Sequence, residues 1–137
     1  MEGELVARLR ANPGVASSTG VFGTRPAVDL GERKSNAPEA FPAAVVTKVF
    51  GGGQYDQDGP GRLRFNRMRV ECFGLSYGAA KDLAKAVEAC LEVADVIGSV
   101  RFHRGKLEIA RDMAPEDVAK LRIFRTVLDF QLPTTNT

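Results

Sequence analysis

Apolar residues recur at helical spacing in one long segment of this chain, residues 77–96. Leu83, Val87 and Leu91 fall on one side of a helix drawn through it, with polar residues between them. Ser76 stands just before the segment, and serine is a favoured N-cap residue. The pattern therefore predicts a long amphipathic helix that begins after Ser76.

Three other segments have the spacing of β-strands. Residues 43–50, "AAVVTKVF", are rich in valine, and residues 122–132, "RIFRTVLDFQL", place phenylalanine and leucine on one face. Residues 62–73, "RLRFNRMRVECF", alternate along their whole length. Their apolar side changes partway, which predicts a bulge or a strand that leaves the core at one end. Residues 99–111 predict a hairpin that turns at Arg104–Gly105.

The remaining segments predict shorter elements. Residues 2–12 carry an amphipathic pattern, which predicts a short helix stopped by Pro13–Gly14. Residues 15–42 have no sustained period and predict a long surface loop, with one short strand near Val21–Phe22. "MAPEDVAK" at 113–120 predicts one helical turn, because its proline suits a first helical position.

This order of elements predicts the fold class. A helix, two strands, a long helix and two or three further strands favour an α+β domain over residues 1–137. We expect an antiparallel or mixed sheet of about four to five strands, with the long helix and the short N-terminal helix packed on one face. Residues 133–137 are predicted to form a polar C-terminal tail.

Composition narrows the function class. A length of 137 residues suits one domain, and a net charge of +2 argues against a strongly basic nucleic-acid binder without excluding a local basic patch. The two cysteines, Cys72 and Cys90, form no Cys-x-x-Cys motif and fit small core residues. We find neither a signal-peptide pattern nor an apolar run of membrane-spanning length, so a soluble, cytoplasmic protein is expected.

The glycine-rich segment at 51–62, "GGGQYDQDGPGR", is the first candidate for chemistry. It lacks the Gly-Lys-Ser/Thr ending of a phosphate loop, and a strand rather than a helix follows it. An EF-hand alignment on Asp56 and Asp58 puts Phe65 where calcium needs a bidentate acid. The segment therefore predicts a flexible hairpin loop between two strands. Its exposed tip and the strand after it supply the candidate protein-contact residues: Tyr55, Asp56, Asp58, Arg62 and Arg64.

Arginines at 62, 64, 67 and 69 cluster on one strand. One interpretation is a solvated strand face that discourages edge pairing. The other is a charged surface toward a partner or DNA, with Arg67 and Arg69 as the DNA-facing candidates. Stacking aromatics are sparse here, which favours the solvated face. His103 is the only histidine, so an enzyme would need an unrecognised site around Asp56, Asp58 or His103. No catalytic residue, cofactor or metal ligand is expected.

The order of residues from 43 to 132 resembles the tail-completion, or tail-terminator, family of long-tailed phages and gene transfer agents. The resemblance rests on a valine-rich strand, a loop with Asp-Gly, and an arginine-bearing strand that ends in Val70-Glu71-Cys72-Phe73. An Ala- and Leu-rich helix then opens near Ser76-Tyr77. Arg111-Asp112 and a final strand from Arg125 to Phe130 complete the pattern.

This resemblance implies a structural virion protein with an α+β fold and no catalytic residues. It implies a homo-oligomeric ring, commonly a hexamer, that caps the tail tube and joins it to the head–tail connector. DNA would pass through the lumen without sequence specificity, and no membrane would be involved. The expected location is the neck of a phage-like particle assembled in a bacterial cytoplasm. A stopper or other neck protein and a small nucleic-acid-binding domain stay open as alternatives.

Overall fold

A computed structural model describes residues 2–50, 63–118 and 120–136 of the chain. Over these residues the protein combines α-helices with a curled, mixed β-sheet, as an α+β chain should. The helices are α1 (Glu2–Ala11), α2 (Pro13–Ser18) and α3 (Tyr77–Leu91), with a 3-10 turn at Pro38–Ala40. The strands are β1 (Val21–Phe22), β2 (Arg25–Pro26), β3 (Val28–Leu30), β4 (Ala43–Phe50), β5 (Arg64–Gly74), β6 (Asp95–Ile97), β7 (Val100–Phe102), β8 (Lys106–Val118) and β9 (Leu121–Asn136).

The main sheet is organised around β9. Its strand order is β3-β4-β5-β9-β7-β6, and β8 also pairs with β9. β9 pairs with β5 on one side; on the other it pairs first with β8 and then, near its C-terminal end, with β7. β3 runs parallel to β4, and the other pairings are antiparallel.

The sheet has seven strands, so the predicted four to five strands were too few. The two strands that were not predicted, β3 and β6, are three residues long. A three-residue strand contains too few positions to show a period of two. β7 lies in the segment predicted as the first strand of the 99–111 hairpin. The separate β1–β2 hairpin confirms the short strand expected at Val21–Phe22. It lies with α2, β3 and the 3-10 turn in the region predicted to be a long loop.

The long helix begins where the sequence predicts. The Ser76 hydroxyl accepts a hydrogen bond of 3.1 Å from the Ala79 N–H, which is the N-cap contact. The helix ends at Leu91 and not at Val96, because residues 95–97 pair with β7 instead. The chain enters β8 close under that helix end: a Cβ on Gly105 would lie 2.7 Å from the Leu91 carbonyl oxygen.

Two predictions for residues 99–120 were wrong. β7 and β8 do not form a hairpin at Arg104–Gly105, because both pair with β9 instead. "MAPEDVAK" does not form a helical turn, since residues through Val118 belong to β8. Pro115 is tolerated there because the register shifts between Met113 and Glu116, where a missing N–H removes no regular ladder bond.

The core lies between the helices and one face of the sheet. α1 and α3 pack on this face, as predicted, and their apolar residues join alternate residues of β5 and β9 in one cluster. A second, smaller cluster of Phe41, Val45, Phe73 and Ile123 lies apart from the first. The apolar side changes because Leu63 and Phe65 are exposed at the start of this segment, whereas Met68, Val70 and Cys72 enter the large cluster. Phe73 at its end enters the small cluster. No bulge interrupts β5; the register shift lies in β4, between Lys48 and Phe50.

Candidate assembly surface

The side of the sheet opposite α1 and α3 is largely free of helices, and we call it the open face. It takes the residues of β5, β8 and β9 that alternate with the core positions. Its basic residues outnumber its acidic ones. The charged members are Arg67, Arg69, Glu71, Lys106, Arg111, Glu116, Arg125 and Asp129.

A bidentate ion pair joins the two central strands on this face. Arg69 of β5 donates from Nε and Nη2 to the two carboxylate oxygens of Asp129 in β9, at 2.8 and 3.2 Å. These hydrogen bonds lower the pKa of Asp129 although its burial opposes the shift, and they raise the pKa of Arg69. Both groups are therefore charged and held in place, so Arg69 is a fixed part of the face.

A second pair lies nearer the small apolar cluster. Arg125 of β9 donates to Glu71 of β5 at 3.0 Å. The Arg33 guanidinium lies 4.7 Å from the centroid of the Phe73 ring, in cation–π geometry. These side chains and Glu116 line an open groove of about 380 Å³. Its opposing charges are largely paired, so the groove has no strong net preference for an anion.

Two arginines on the open face are differently placed. Arg67 and Arg111 are exposed and form no ion pair within the part of the chain that the structure describes. Both lie close enough to Asp129 to help lower its pKa. Ile109 and Met113 stand on the same face with 45% and 37% of their surface exposed. Arginine and methionine beside exposed apolar groups are typical of a surface that contacts macromolecules.

The structure separates the arginines that the sequence grouped together. Arg67 and Arg69 share the open face, whereas Arg64 is exposed at the start of β5 and alternates to the other side. Four further contact candidates, Tyr55, Asp56, Asp58 and Arg62, lie outside the described residues.

A network at the start of α3 was missed from the sequence. Asp112 of β8 accepts hydrogen bonds from the Tyr77 hydroxyl at 2.8 Å, Thr126 at 3.0 Å and Lys81 at 3.2 Å. These bonds, that of Tyr77 most strongly, lower the pKa of Asp112, and Asp112 in turn raises the pKa of Lys81. A hairpin predicted between β8 and β9 would have placed Asp112 opposite Thr126, so this one contact could have been found from the sequence.

His103 and the two cysteines have other roles in the fold, and Asp56 and Asp58 lie outside the described residues. His103 is half-buried, with Nε2 3.1 Å from the Thr135 hydroxyl. Burial raises the pKa of the Cys72 thiol to about 12 and also raises that of Cys90. Both thiols are therefore protonated at neutral pH. Among the described residues, no group of three or more His, Cys, Asp or Glu side chains could hold a metal ion.

Within the described ranges, none of the helices has the length and apolar character needed to cross a membrane.

Comparison with known proteins gives a match in structure and none in sequence. No family model matches the chain, and no curated protein does. A chain in the virion of a native gene transfer agent particle superposes with a TM-score of 0.63 at 18% identity, covering 98% of this chain and 94% of that one. A second solved chain gives a TM-score of 0.51 at 12% identity, covering 96% and 95%. At these identities the shared property is the fold.

Proposed function

We propose that this chain is a structural virion protein, a tail-terminator subunit that caps the tail tube of a phage-like particle and joins it to the head connector. The observation that carries the proposal is the likeness of fold, over nearly the whole of both chains, to a component of a gene transfer agent virion. The distributed sequence resemblance over residues 43–132 supports the same role independently of the coordinates.

In this proposal the protein acts as a ring, with six copies as the expected number. Copies repeated around a closed ring contact each other through two different patches, one on each side of the subunit. The tail tube protein lies below the ring and the head–tail connector or stopper above it. The ring forms in the bacterial host cytoplasm and stays in the neck of the finished particle.

We assign the open face to the lumen, where DNA passes. Its basic excess attracts phosphates without reading bases, since Arg69 is held by Asp129 and base-stacking aromatics are sparse. Arg67 and Arg111, which have no ion pair among the described residues, are the side chains best placed to contact phosphate. Alternating carboxylates keep that attraction weak, which suits DNA that must slide through.

No catalytic step is proposed for the chain. Cys72 and Cys90 are protonated thiols in the core, and the ring of His103 is hydrogen-bonded to Thr135. A nucleophile needs a base within hydrogen-bond reach, and neither thiol has His103 as a partner.

The test uses particles made without this protein. Adding the purified chain to their isolated tails should place a ring at one tube end, stop further tube growth and allow tails to join filled heads. The double variant Arg67→Gln/Arg111→Gln should still cap tubes, because it changes the lumen and not the ring contacts. Binding to filled heads but not to tails would instead indicate a stopper. Failure to bind either, together with salt-sensitive binding to free DNA, would indicate a nucleic-acid-binding domain.

A further inference from the structure

A groove of about 420 Å³ lies where α1 meets α2, facing the C-terminal end of α3 and strand β6. Most of its lining residues have small or apolar side chains, and one of them, Val93, is 62% exposed. Arg8 and Asp95 are the charged side chains in the lining. An exposed apolar side chain in a groove of this size is a feature that binding surfaces share.

Arg8 lines this groove and is almost fully buried, with 4% of its surface exposed. Its Nη2 donates to the carbonyl oxygens of Cys90, at 2.6 Å, and of Val93, and its guanidinium lies over the Phe102 ring. Its Nη1 is buried and has no hydrogen-bond partner among the residues that the structure describes. A buried donor left unpaired is costly, and the described residues of a single copy supply no acceptor for this nitrogen.

The charges around Arg8 decide what kind of acceptor fits. The carboxylate of Asp95 lies 3.8 Å from Nε of Arg8, so the positive charge already has a counterion. A phosphate or a second carboxylate would be repelled by Asp95 and would have to be stripped of water to enter. A main-chain carbonyl can accept from Nη1 without adding charge. The groove therefore fits an uncharged stretch of polypeptide.

The chain itself carries such a stretch. No Asp, Glu, Lys or Arg occurs from Pro13 to Thr24, and the β1–β2 hairpin ends this run with an exposed tip at Gly23–Thr24. Val21 and Phe22 next to the tip are also exposed. The tip residues Gly23 and Thr24 carry no charge, and Arg25 beside them is ion-paired with Asp29. The tip can therefore offer a main-chain carbonyl without adding an unpaired charge.

The hairpin and the groove lie on different sides of α1. The hairpin is tied to the β3 side, where the Ala27 N–H donates to the Gly20 carbonyl and Arg10 of α1 donates to the Val28 carbonyl. The groove lies on the β6 side, which α1 reaches through Arg8. A projection and a recess at separate places on one subunit produce head-to-tail contacts that continue from copy to copy, as a ring needs.

We infer that the tip of the β1–β2 hairpin of one copy inserts into the Arg8 groove of the next, where a main-chain carbonyl accepts a hydrogen bond from Nη1 of Arg8. This inference rests on the proposed ring and names the contact that closes it. The occupant is a second copy of this chain.

The test fills the groove or charges the tip at exposed positions outside the core. Ala89→Trp places an indole in the groove, and its matched control, Ala7→Trp, alters an exposed alanine on α1 outside the groove. Thr24→Asp puts a negative charge on the tip, and Ser99→Asp is its control in an exposed turn. By native mass spectrometry at high concentration, the wild type and both controls should self-associate, and both test variants should be monomers with unchanged Tm.

A mixture of the two test variants tests the contact between tip and groove most directly. Ala89→Trp keeps a good tip and Thr24→Asp keeps a good groove, so a mixture should form a one-to-one pair and no ring. A wild type that stays monomeric at millimolar concentration, test variants that assemble as well as their controls, or a mixture that forms no pair would each overturn the inference. Normal capping of tails by the test variants would overturn it while leaving the proposed function intact. Rings that form only with an intact groove and tip but do not bind tails would support the inference and contradict the proposed function.

Discussion

The two faces of the sheet take alternate residues of the same strands, and the contrast between them is clearest along β9. Leu128 and Phe130 point to the helices and are buried in the large apolar cluster. Asp129, between them, points to the open face and pairs with Arg69. Because neighbouring residues on a strand point to opposite sides, one strand contributes to stability on one face and to a charged surface on the other.

The difference separates the residues that stabilise the fold from those that form the charged surface. Burial of large apolar side chains contributes most of the stabilising free energy on the covered face. Ion pairs at a partly exposed surface contribute little each, so the open face fixes the positions of charges more than it holds the chain together. Substitutions on the two faces should therefore have very different effects on unfolding.

The largest effect is expected on the covered face. Phe130→Ala removes a fully buried ring from the main cluster and should lower the free energy of unfolding by about 3–5 kcal/mol. Gln131→Ala, the next residue on the open side, is the matched control and should change it by less than about 0.5 kcal/mol. Urea denaturation of both variants measures the comparison. Similar losses for the two would show that the faces do not differ as described.

A smaller loss is expected for the central ion pair. Asp129→Asn removes the acceptor of two charged hydrogen bonds and should cost about 1–2 kcal/mol at neutral pH, less than a fully buried pair because Arg69 is a third exposed. Asp117→Asn, at a wide and exposed pair with Arg122, is the control and should have no measurable effect.

The stability difference between the wild type and Asp129→Asn should depend on pH. The pKa of Asp129 is lowered in the folded chain from an ordinary value of 3.8, so its contribution is complete above that value and is lost as the pH falls through the folded pKa. Below about pH 4 the wild type should therefore lose its advantage over Asp129→Asn. Thermal unfolding across pH 2–7 checks this, and a difference in Tm that stays constant to pH 2 would contradict it.

Ser76→Ala should cost about 1 kcal/mol, because it removes the N-cap acceptor of α3. Ser76→Asp should retain most of the stability, since an aspartate can accept the same hydrogen bond. The midpoint of urea unfolding for the pair checks this, and a loss for Ser76→Asp equal to that for Ser76→Ala would argue against the cap.

The smallest effect is expected for the exposed arginines of the open face. Arg67→Gln/Arg111→Gln should change the free energy of unfolding by no more than about 0.5 kcal/mol, because neither side chain has an ion pair among the described residues. The same variant should weaken DNA retention in assembled particles and make it less dependent on salt. A large loss of stability would mean that these arginines belong to the fold and not to the surface.

Much of the fold could be predicted from the sequence, because the long helix and the long strands have a clear hydrophobic periodicity. The cap at Ser76, the stripe of Leu83, Val87 and Leu91, and the strand at 43–50 depend on neighbours in sequence, and each is found as predicted. β3 and β6 could not be found in this way, since each has only three residues and exists through its pairing with β4 or β7. The helical turn predicted around Pro115 failed because pairing with β9 overrides the local preference.

Only part of the candidate surface could be predicted from the sequence. Alternation placed Arg67 and Arg69 on one side of a strand, and the structure agrees. Their relation to Asp129 and Arg111 depends on how three strands align, which no local pattern encodes. The amphipathic pattern of residues 2–12 does not show that Arg8 is buried. Its burial follows from the approach of α1 to the end of α3, more than 80 residues away in the sequence.

The central claim is that the chain acts by assembling at the end of a tail. The most direct measurement is electron cryo-microscopy of the particle that contains it, at a resolution that traces its main chain. We predict a closed ring of this fold between the tail tube and the head connector, with the open face toward the DNA. Density for the chain at any other place in the particle, or as isolated single copies, would contradict the account.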